Sequence, residues 1–315
     1  MKKLGVAVIG TGFWGRNHVR VLNHLTNARV IAICDTNMKR ARQVGTRYEI
    51  EYCSSLDEIL SRKDVDAATI CTPTTTHKDV AAKVIDAGKD VFIEKPLAST
   101  SQEARELISL ARKKGVRVAV GFVERYNPAV RYIKRLIDEK RLGKVILMIA
   151  RRVTRWPMRI GDVGVTKDSA IHDIDIMRYL VDSDVKTVYA RTGTLAHKFE
   201  DFSEILLNFS GGEVGFIDAN WLTPRKIRKL TITGREATAT IDYVTQETVV
   251  ENSKRSVMPR IKWEEPLRLE LENFAKSVIA GKQPSASGED GLKALEVCEA
   301  ALKSGVTGQV VQVSS

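Results

Sequence analysis

Over the first 120 residues, short apolar runs alternate with longer stretches in which apolar positions recur every three or four residues. Leu4–Ile9, Val30–Cys34, Ala67–Cys71, Asp90–Ile93 and Val116–Val120 read as strands. Trp14–Leu25, Met38–Tyr48, Lys78–Ala87 and Ser101–Lys114 have helical spacing. Strict alternation of strand and helix predicts right-handed crossovers and a parallel sheet covered on both faces. After Gly121 the pattern changes. Pro128–Lys140 is predicted helical, Lys144–Val153 extended and Ser169–Leu180 helical, and from Val185 to Val250 the chain reads as successive strands. Glu204–Phe209 with Glu213–Asn220, and Lys229–Thr233 with Ala237–Tyr243, form hairpins around glycine-containing turns. Two helices close the pattern, Pro266–Ala280 and Glu289–Ser304. The expected class is α/β: a doubly wound parallel sheet over 1–122, then an α+β domain on a mostly antiparallel sheet over 123–315. The last helix is a candidate to pack back on the first domain.

Composition narrows the partners. The 315 residues are 43% hydrophobic and 28% charged, enough for two real cores and inconsistent with disorder or a disulfide scaffold. Lys and Arg number 50 against 39 Asp and Glu, a formal charge of +11 that favours anionic partners: nucleic acid, a membrane surface or a phosphorylated small molecule. No basic helix, interleaved aromatics or recognisable binding motif supports nucleic acid. No stretch approaches 18 apolar residues, and the run MKKLGVAVIG breaks into Gly-Thr-Gly before a signal-peptide core forms. Neither nucleic acid nor membrane is therefore expected as a partner. The four cysteines, Cys34, Cys53, Cys71 and Cys298, lie far apart with no C-x-x-C pair, so no metal site is expected and a reducing, cytoplasmic setting is.

The first strand runs into Gly10-Thr11-Gly12-Phe13-Trp14-Gly15 at the start of a helix. Gly10 permits a tight turn, Gly12 lets a pyrophosphate approach the backbone, and Gly15 lets helix pack on strand. Asp35, 20 residues after Gly15 and at the end of the second strand, stands where a carboxylate accepts the adenosine ribose hydroxyls. A Rossmann domain binding NAD is the expectation. Lys39 and Arg40 lie close enough to soften the preference, so NADP stays open.

Three further segments carry chemistry. Thr72, Pro73, Thr74 and His77 follow the third strand, Glu94 and Lys95 open a Glu-Lys-Pro turn after the fourth, and Asp168 and His172 lie four residues apart near a helix start. Ends of parallel strands form the rim where ligands bind, so the first two segments are expected against the cofactor. His77 reads as lining the cofactor cleft, with capping of the next helix as the alternative. His18, His24 and His197 read as structural.

The G-x-G-x-x-G start, the T-P-x-x-x-H turn, the E-K-P motif and the D-x-x-x-H-D-I-D helix together resemble the Gfo/Idh/MocA family of NAD(P)-dependent dehydrogenases, over essentially the whole chain. The resemblance implies that Lys95, Asp168 and His172 surround the hydroxyl being oxidised. A base assists such a reaction by roughly 10²–10⁴-fold, and an imidazole titrating near neutrality suits the task. His172 is taken as base, Asp168 as its orienter or proton acceptor, and Lys95 as the group polarising the oxygen; the reverse split between Lys95 and His172 stays open.

Charge placement bears on substrate. From Arg141 to Arg159 there are six basic residues and no acidic one. Arg152, Arg155 and Arg159, with Arg225 after the second hairpin strand, suit a diphosphate, against the alternative of a charge-guarded edge strand. Trp156, Trp221 and Asp175 complete the expected substrate contacts, the cofactor and a packing partner being the alternatives for Asp175. The strings Arg151–Leu180 and Ala219–Gly234 are similar to one branch of the family, enzymes that oxidise the 3-hydroxyl of UDP-N-acetylglucosamine, although Ser169 stands where that branch has leucine. A nucleotide sugar is thus the first expectation, and a free sugar or inositol the alternative. The resemblance also implies a homodimer or homotetramer.

Overall fold

The computed structural model describes residues 3–156 and 161–313. The chain divides into two compact units, Met1–Val123 with Leu267–Leu292, and Glu124–Pro266 with Lys293–Ser315.

In the first unit, β1 (Leu4–Ile9), β2 (Ala28–Cys34), β3 (Glu51–Cys53), β4 (Ala67–Ile70), β5 (Asp90–Ile93) and β6 (Val118–Val120) form a parallel sheet in the order β3-β2-β1-β4-β5-β6. Between them run α1 (Phe13–Leu22), α2 (Met38–Tyr48), α3 (Leu56–Leu60), α4 (His77–Asp86) and α5 (Ser101–Lys114). β1 and β4 are buried at every position, as a sheet covered on both faces requires. Local chemistry sets the helix starts: the side chains of Asn37 and Thr100 accept the N–H groups of Arg40 and Glu103. The pattern did not predict β3 and α3, because β3 is three residues long and largely exposed, with no periodicity to read. The strand order reverses between β1 and β4, the place where open α/β sheets bind ligands.

Among the described residues, the second unit contains α6 (Pro128–Asp138), α7 (Ile171–Val181) and nine strands: β7 (Val145–Arg155), β8 (Val185–Gly193), β9 (Phe202–Phe209), β10 (Val214–Asn220), β11 (Leu222–Gly234), β12 (Thr238–Asp242), β13 (Thr248–Glu251), β14 (Ser256–Val257) and β15 (Val311–Gln312). Their order is β14-β13-β12-β11-β7-β10-β9-β8-β15. β7 and β10 pair in parallel and the other neighbours antiparallel, so the sheet is mostly antiparallel, as expected. The helix predicted at Ser169 begins differently: a π turn over Thr166–Ala170 leads into α7.

One face of this sheet carries exposed apolar side chains in register. Tyr189 lies opposite Leu206, Leu206 opposite Phe216 and Phe216 opposite Ile149, each more than a third exposed. A second row pairs Glu204 with Asp218, and Asp218 with Arg151, whose Nε donates to Asp218 at 2.9 Å. Burial, with the Asp218 carboxylate opposite, pushes Glu204 up to about 7. The folded chain therefore holds this proton longer than the unfolded chain, and its stability falls as pH rises from about 4.5 towards 7. Glu204→Gln should raise the melting temperature at pH 8, by about 1 kcal/mol of stability after solvent screening, and leave it unchanged at pH 4.5. An equal gain at both values would disprove the carboxylate repulsion.

Two helices, α8 (Pro266–Ile279) and α9 (Gly288–Thr307), lie between β14 and β15. α8 belongs to the first unit, where Leu267, Leu271, Phe274 and Ala275 enter the core at helical spacing and Phe274 meets Phe92 edge-on at 5.6 Å.

Candidate functional site

The glycine loop divides its labour as the sequence suggests. Gly10 has φ +86°, and a Cβ there would lie 2.8 Å from the Cys71 backbone; one on Gly15 would lie 1.8 Å from the Gly10 carbonyl oxygen. Both are required by the protein's own packing. Gly12 is different, since a Cβ would meet only Arg40 Nη1 at 3.9 Å. Its missing side chain leaves room for a ligand. The N-terminus of α1 is uncapped by any side chain and its first turn holds no acidic residue, so its N–H groups suit an anion. Gly12→Ala is expected to leave the melting temperature intact and weaken dinucleotide binding, whereas Gly15→Ala should destabilise the fold. Dye-monitored melting and fluorescence titration with NAD check both.

Asp35 is buried at the end of β2, and it shapes the loop. Its Oδ2 accepts the Thr11 N–H at 2.8 Å and the Thr11 hydroxyl at 2.7 Å, and Oδ1 accepts the Asn37 N–H at 2.8 Å. Burial would push this carboxyl up, but those hydrogen bonds and the Arg40 guanidinium 3.6 Å away hold it below its usual value. Phe13 is exposed, Trp14 half-buried and Pro73 exposed beside the loop after β4. These residues fit NAD: a cradle open at Gly12, a helix N-terminus that no side chain caps and a carboxylate at the end of β2.

The Glu94–Lys95–Pro96 turn after β5 is held from inside. Glu94 Oε1 lies 3.0 Å from His18 Nε2 on α1, and Oε2 accepts the Lys95 N–H at 3.3 Å. Gly121 makes room for this, because a Cβ there would come within 2.8 Å of Glu94 Oε2. Glu94 was expected to touch the cofactor; its carboxylate is instead buried on His18 and the Lys95 amide. His77 is 1% exposed, with Nδ1 2.8 Å from the Pro96 carbonyl and Nε2 3.0 Å from the Thr72 carbonyl. It joins two loops and does not line a cleft. The Lys95 side chain is half-buried.

In the second unit, Asp168 sits in the π turn, a wide turn that recurs at functional sites. The Glu200 carboxylate accepts the Thr166 N–H at 3.1 Å at its start. Asp168 is 8% exposed and His172 half-buried on the first turn of α7. The Ser169 hydroxyl donates to Asp168 Oδ2 at 3.1 Å and accepts the Trp221 indole N–H at 3.3 Å. Trp156, His197 and Trp221 follow edge to face, with centroids 4.2 and 5.3 Å apart.

Two family models match the chain: "Oxidoreductase family, NAD-binding Rossmann fold" over residues 4–122 and "GFO/IDH/MocA C-terminal domain" over residues 130–240. The NAD-dependent scyllo-inositol 2-dehydrogenase of Bacillus subtilis is 31% identical, across 98% of this chain and 95% of its own length. The chain belongs to the Gfo/Idh/MocA oxidoreductase family. Among solved structures, the UDP-N-acetylglucosamine 3-dehydrogenase of Acidithiobacillus ferrooxidans has a TM-score of 0.89 at 24% identity, covering 96% of this chain and 98% of that one. A levoglucosan dehydrogenase in complex with NADH and levoglucosan has a TM-score of 0.92 at 23% identity, each chain being covered completely. These two likenesses show a shared fold.

Within this Gfo/Idh/MocA chain, the expected diphosphate clamp is corrected at its centre. Arg152 is 4% exposed, with Nε on Asp173 at 2.6 Å, Nη1 on Glu124 at 3.1 Å and its guanidinium over the Tyr243 ring at 4.9 Å. Burial would weaken its charge, but Asp173 and Glu124 outweigh that and raise its pKa. The fork that was to grip a substrate is fully used inside the unit. Asp175 is corrected likewise, since both its oxygens take the buried Arg125 guanidinium at 2.7 and 2.5 Å. Trp221 is 2% exposed, its ring buried against His197 and its N–H on Ser169. Arg155, Trp156 and Arg225 are exposed, and Arg159 lies outside the described residues.

Sequence reasoning did not find Glu124, Arg228 or Tyr243, although it had counted Lys226 among the cations after the second hairpin strand. Arg228 lies opposite Arg152 across β11 and β7, with Glu124 3.6 Å from its Nη1. Burial and the facing Arg152 lower Arg228, and Arg228 in turn lowers Lys226. Only the strand register, which a one-residue slip would invert, turns these cations to the same face.

Proposed function

We propose that this oxidoreductase is an NAD-dependent dehydrogenase oxidising a secondary hydroxyl of a sugar or polyol. The observation that carries the reading is a dinucleotide cradle in the same chain as a π turn presenting Asp168 and His172. NAD, when bound, supplies the hydride acceptor. The chain's own groups do the rest: α1 N–H groups and Asp35 hold the dinucleotide, and Lys95 polarises the hydroxyl oxygen. His172 accepts the hydroxyl proton, with Asp168 orienting the ring or taking that proton onward.

For substrate, a nucleotide sugar such as UDP-N-acetylglucosamine, oxidised at C3, is supported by the exposed Arg155 and Arg225 and by the Lys226–Arg228 pair, cations that suit a diphosphate. A free inositol or sugar is the second reading, favoured by the 31% identical scyllo-inositol dehydrogenase. NADH absorbance during incubation with UDP-N-acetylglucosamine, scyllo- and myo-inositol and glucose separates the two. Turnover of inositol alone replaces the first reading; turnover of none overturns the proposal. The exposed apolar row Tyr189–Leu206–Phe216–Ile149 supports a homo-oligomer through this sheet face, and light scattering showing a monomer would refute it.

A further inference from the structure

His77 presents a simple problem of hydrogen count. Its Nδ1 lies 2.8 Å from the Pro96 carbonyl oxygen and its Nε2 3.0 Å from the Thr72 carbonyl oxygen, both in hydrogen-bonding geometry. Carbonyl oxygens only accept. A neutral imidazole has one N–H and one lone pair, so one of these contacts would set lone pair against lone pair inside a buried site. His18 shows the contrasting case: Nε2 meets the Glu94 carboxylate, and Nδ1 has no hydrogen bond among the described residues. Only a ring with two N–H groups satisfies both contacts of His77.

We propose that His77 is held as a doubly protonated imidazolium that ties the Thr72 turn to the Pro96 turn and thereby positions Lys95. Two charge-assisted bonds to carbonyl dipoles act against the desolvation cost of a buried cation. Several charged groups on the surrounding elements have partners of their own, and the buried Glu270 on α8 lies close enough to act on Cys71 beside the Thr72 turn. Glu94 is bonded to His18 and the Lys95 amide, Glu103 accepts the Ser99 N–H, and Lys78 pairs with Glu106. Asp79, on the same helix as His77, is exposed. Lys95 is thus gripped on both flanks, by Glu94 at its own amide and by His77 at the carbonyl of the next residue. His77 is a positioning residue here: it acts through Lys95, and this rests on Lys95 acting in the proposed reaction.

Two measurements test the inference. In wild-type protein at pH 7.5, ¹⁵N-detected histidine spectra should show both His77 ring nitrogens carrying hydrogen, assigned by comparison with His77→Gln. One nitrogen resonating as an unprotonated acceptor would overturn the charge assignment, whatever the enzyme's substrate. In kinetics, His77→Gln should lower kcat on the order of 10–100-fold by displacing Lys95, with NAD affinity nearly unchanged. In a Lys95→Ala background the same change should cost nothing further, because it acts through a side chain already removed. An equal loss in both backgrounds would make His77 merely structural. If Lys95→Ala is itself silent, the catalytic reading fails while the spectroscopic result stands.

Discussion

Lys95→Ala is expected to lower kcat for the oxidised sugar or polyol by about 10²–10³-fold, the usual effect of deleting a group that stabilises developing charge on oxygen. Its backbone should be unaffected, because the Glu94 carboxylate holds the residue through its amide N–H. NAD affinity, measured by fluorescence titration, should therefore remain close to wild type. The melting temperature should remain so too, since the side chain is half-exposed at the end of β5. Loss of NAD binding equal to the loss of kcat would instead make Lys95 a cofactor contact. An unchanged kcat would remove it from the reaction.

Arg152→Ala should act on stability. The guanidinium is shared between the buried Asp173 and Glu124 carboxylates, and Tyr243 donates its hydroxyl to Asp173 Oδ1 at 3.2 Å in the same cluster. Removing the cation leaves two buried carboxylates with too few donors, a loss of about 3–5 kcal/mol when one partner of a buried pair is deleted. Urea denaturation gives the figure directly. Should the alanine variant fail to fold, Arg152→Lys keeps the charge but loses the fork and should show a smaller loss. If Arg152 gripped a substrate diphosphate, the same change would raise KM and leave the unfolding free energy untouched. The two outcomes distinguish a structural cluster from a clamp.

These two arginine and lysine positions show how far local pattern reaches. The Glu94–Lys95–Pro96 turn was legible because it is local: a strand end, a glutamate before the lysine and a proline after it, all contiguous. Arg152 was misread because its meaning depends on partners far away in the chain. Glu124, Asp173 and Tyr243 lie 28, 21 and 91 residues from it, and nothing in a string of basic residues says which arginine turns inward. Strand alternation does contain that information, but only once the register of β7 against β11 is known. Ser169 makes the same point. In the sequence it is a departure from the expected leucine; in the fold it is a hydroxyl bridging Trp221 and Asp168, 52 residues from the first and next to the second.

What the sequence by itself determined is whatever short-range sterics and periodicity enforce. The alternation of strand and helix, the three glycines of the loop, Asp35 at the end of β2 and the i,i+4 spacing of Asp168 and His172 all follow from contiguous residues. Tertiary structure alone decided which charges are spent inside. Glu94, His77, Arg152 and Asp175 all carry functional-looking side chains, and each is satisfied by buried partners from a distant segment. The reason is desolvation: a buried charge or polar group must find a partner, and which partner is within reach is set by the packing of elements, not by neighbours in the chain.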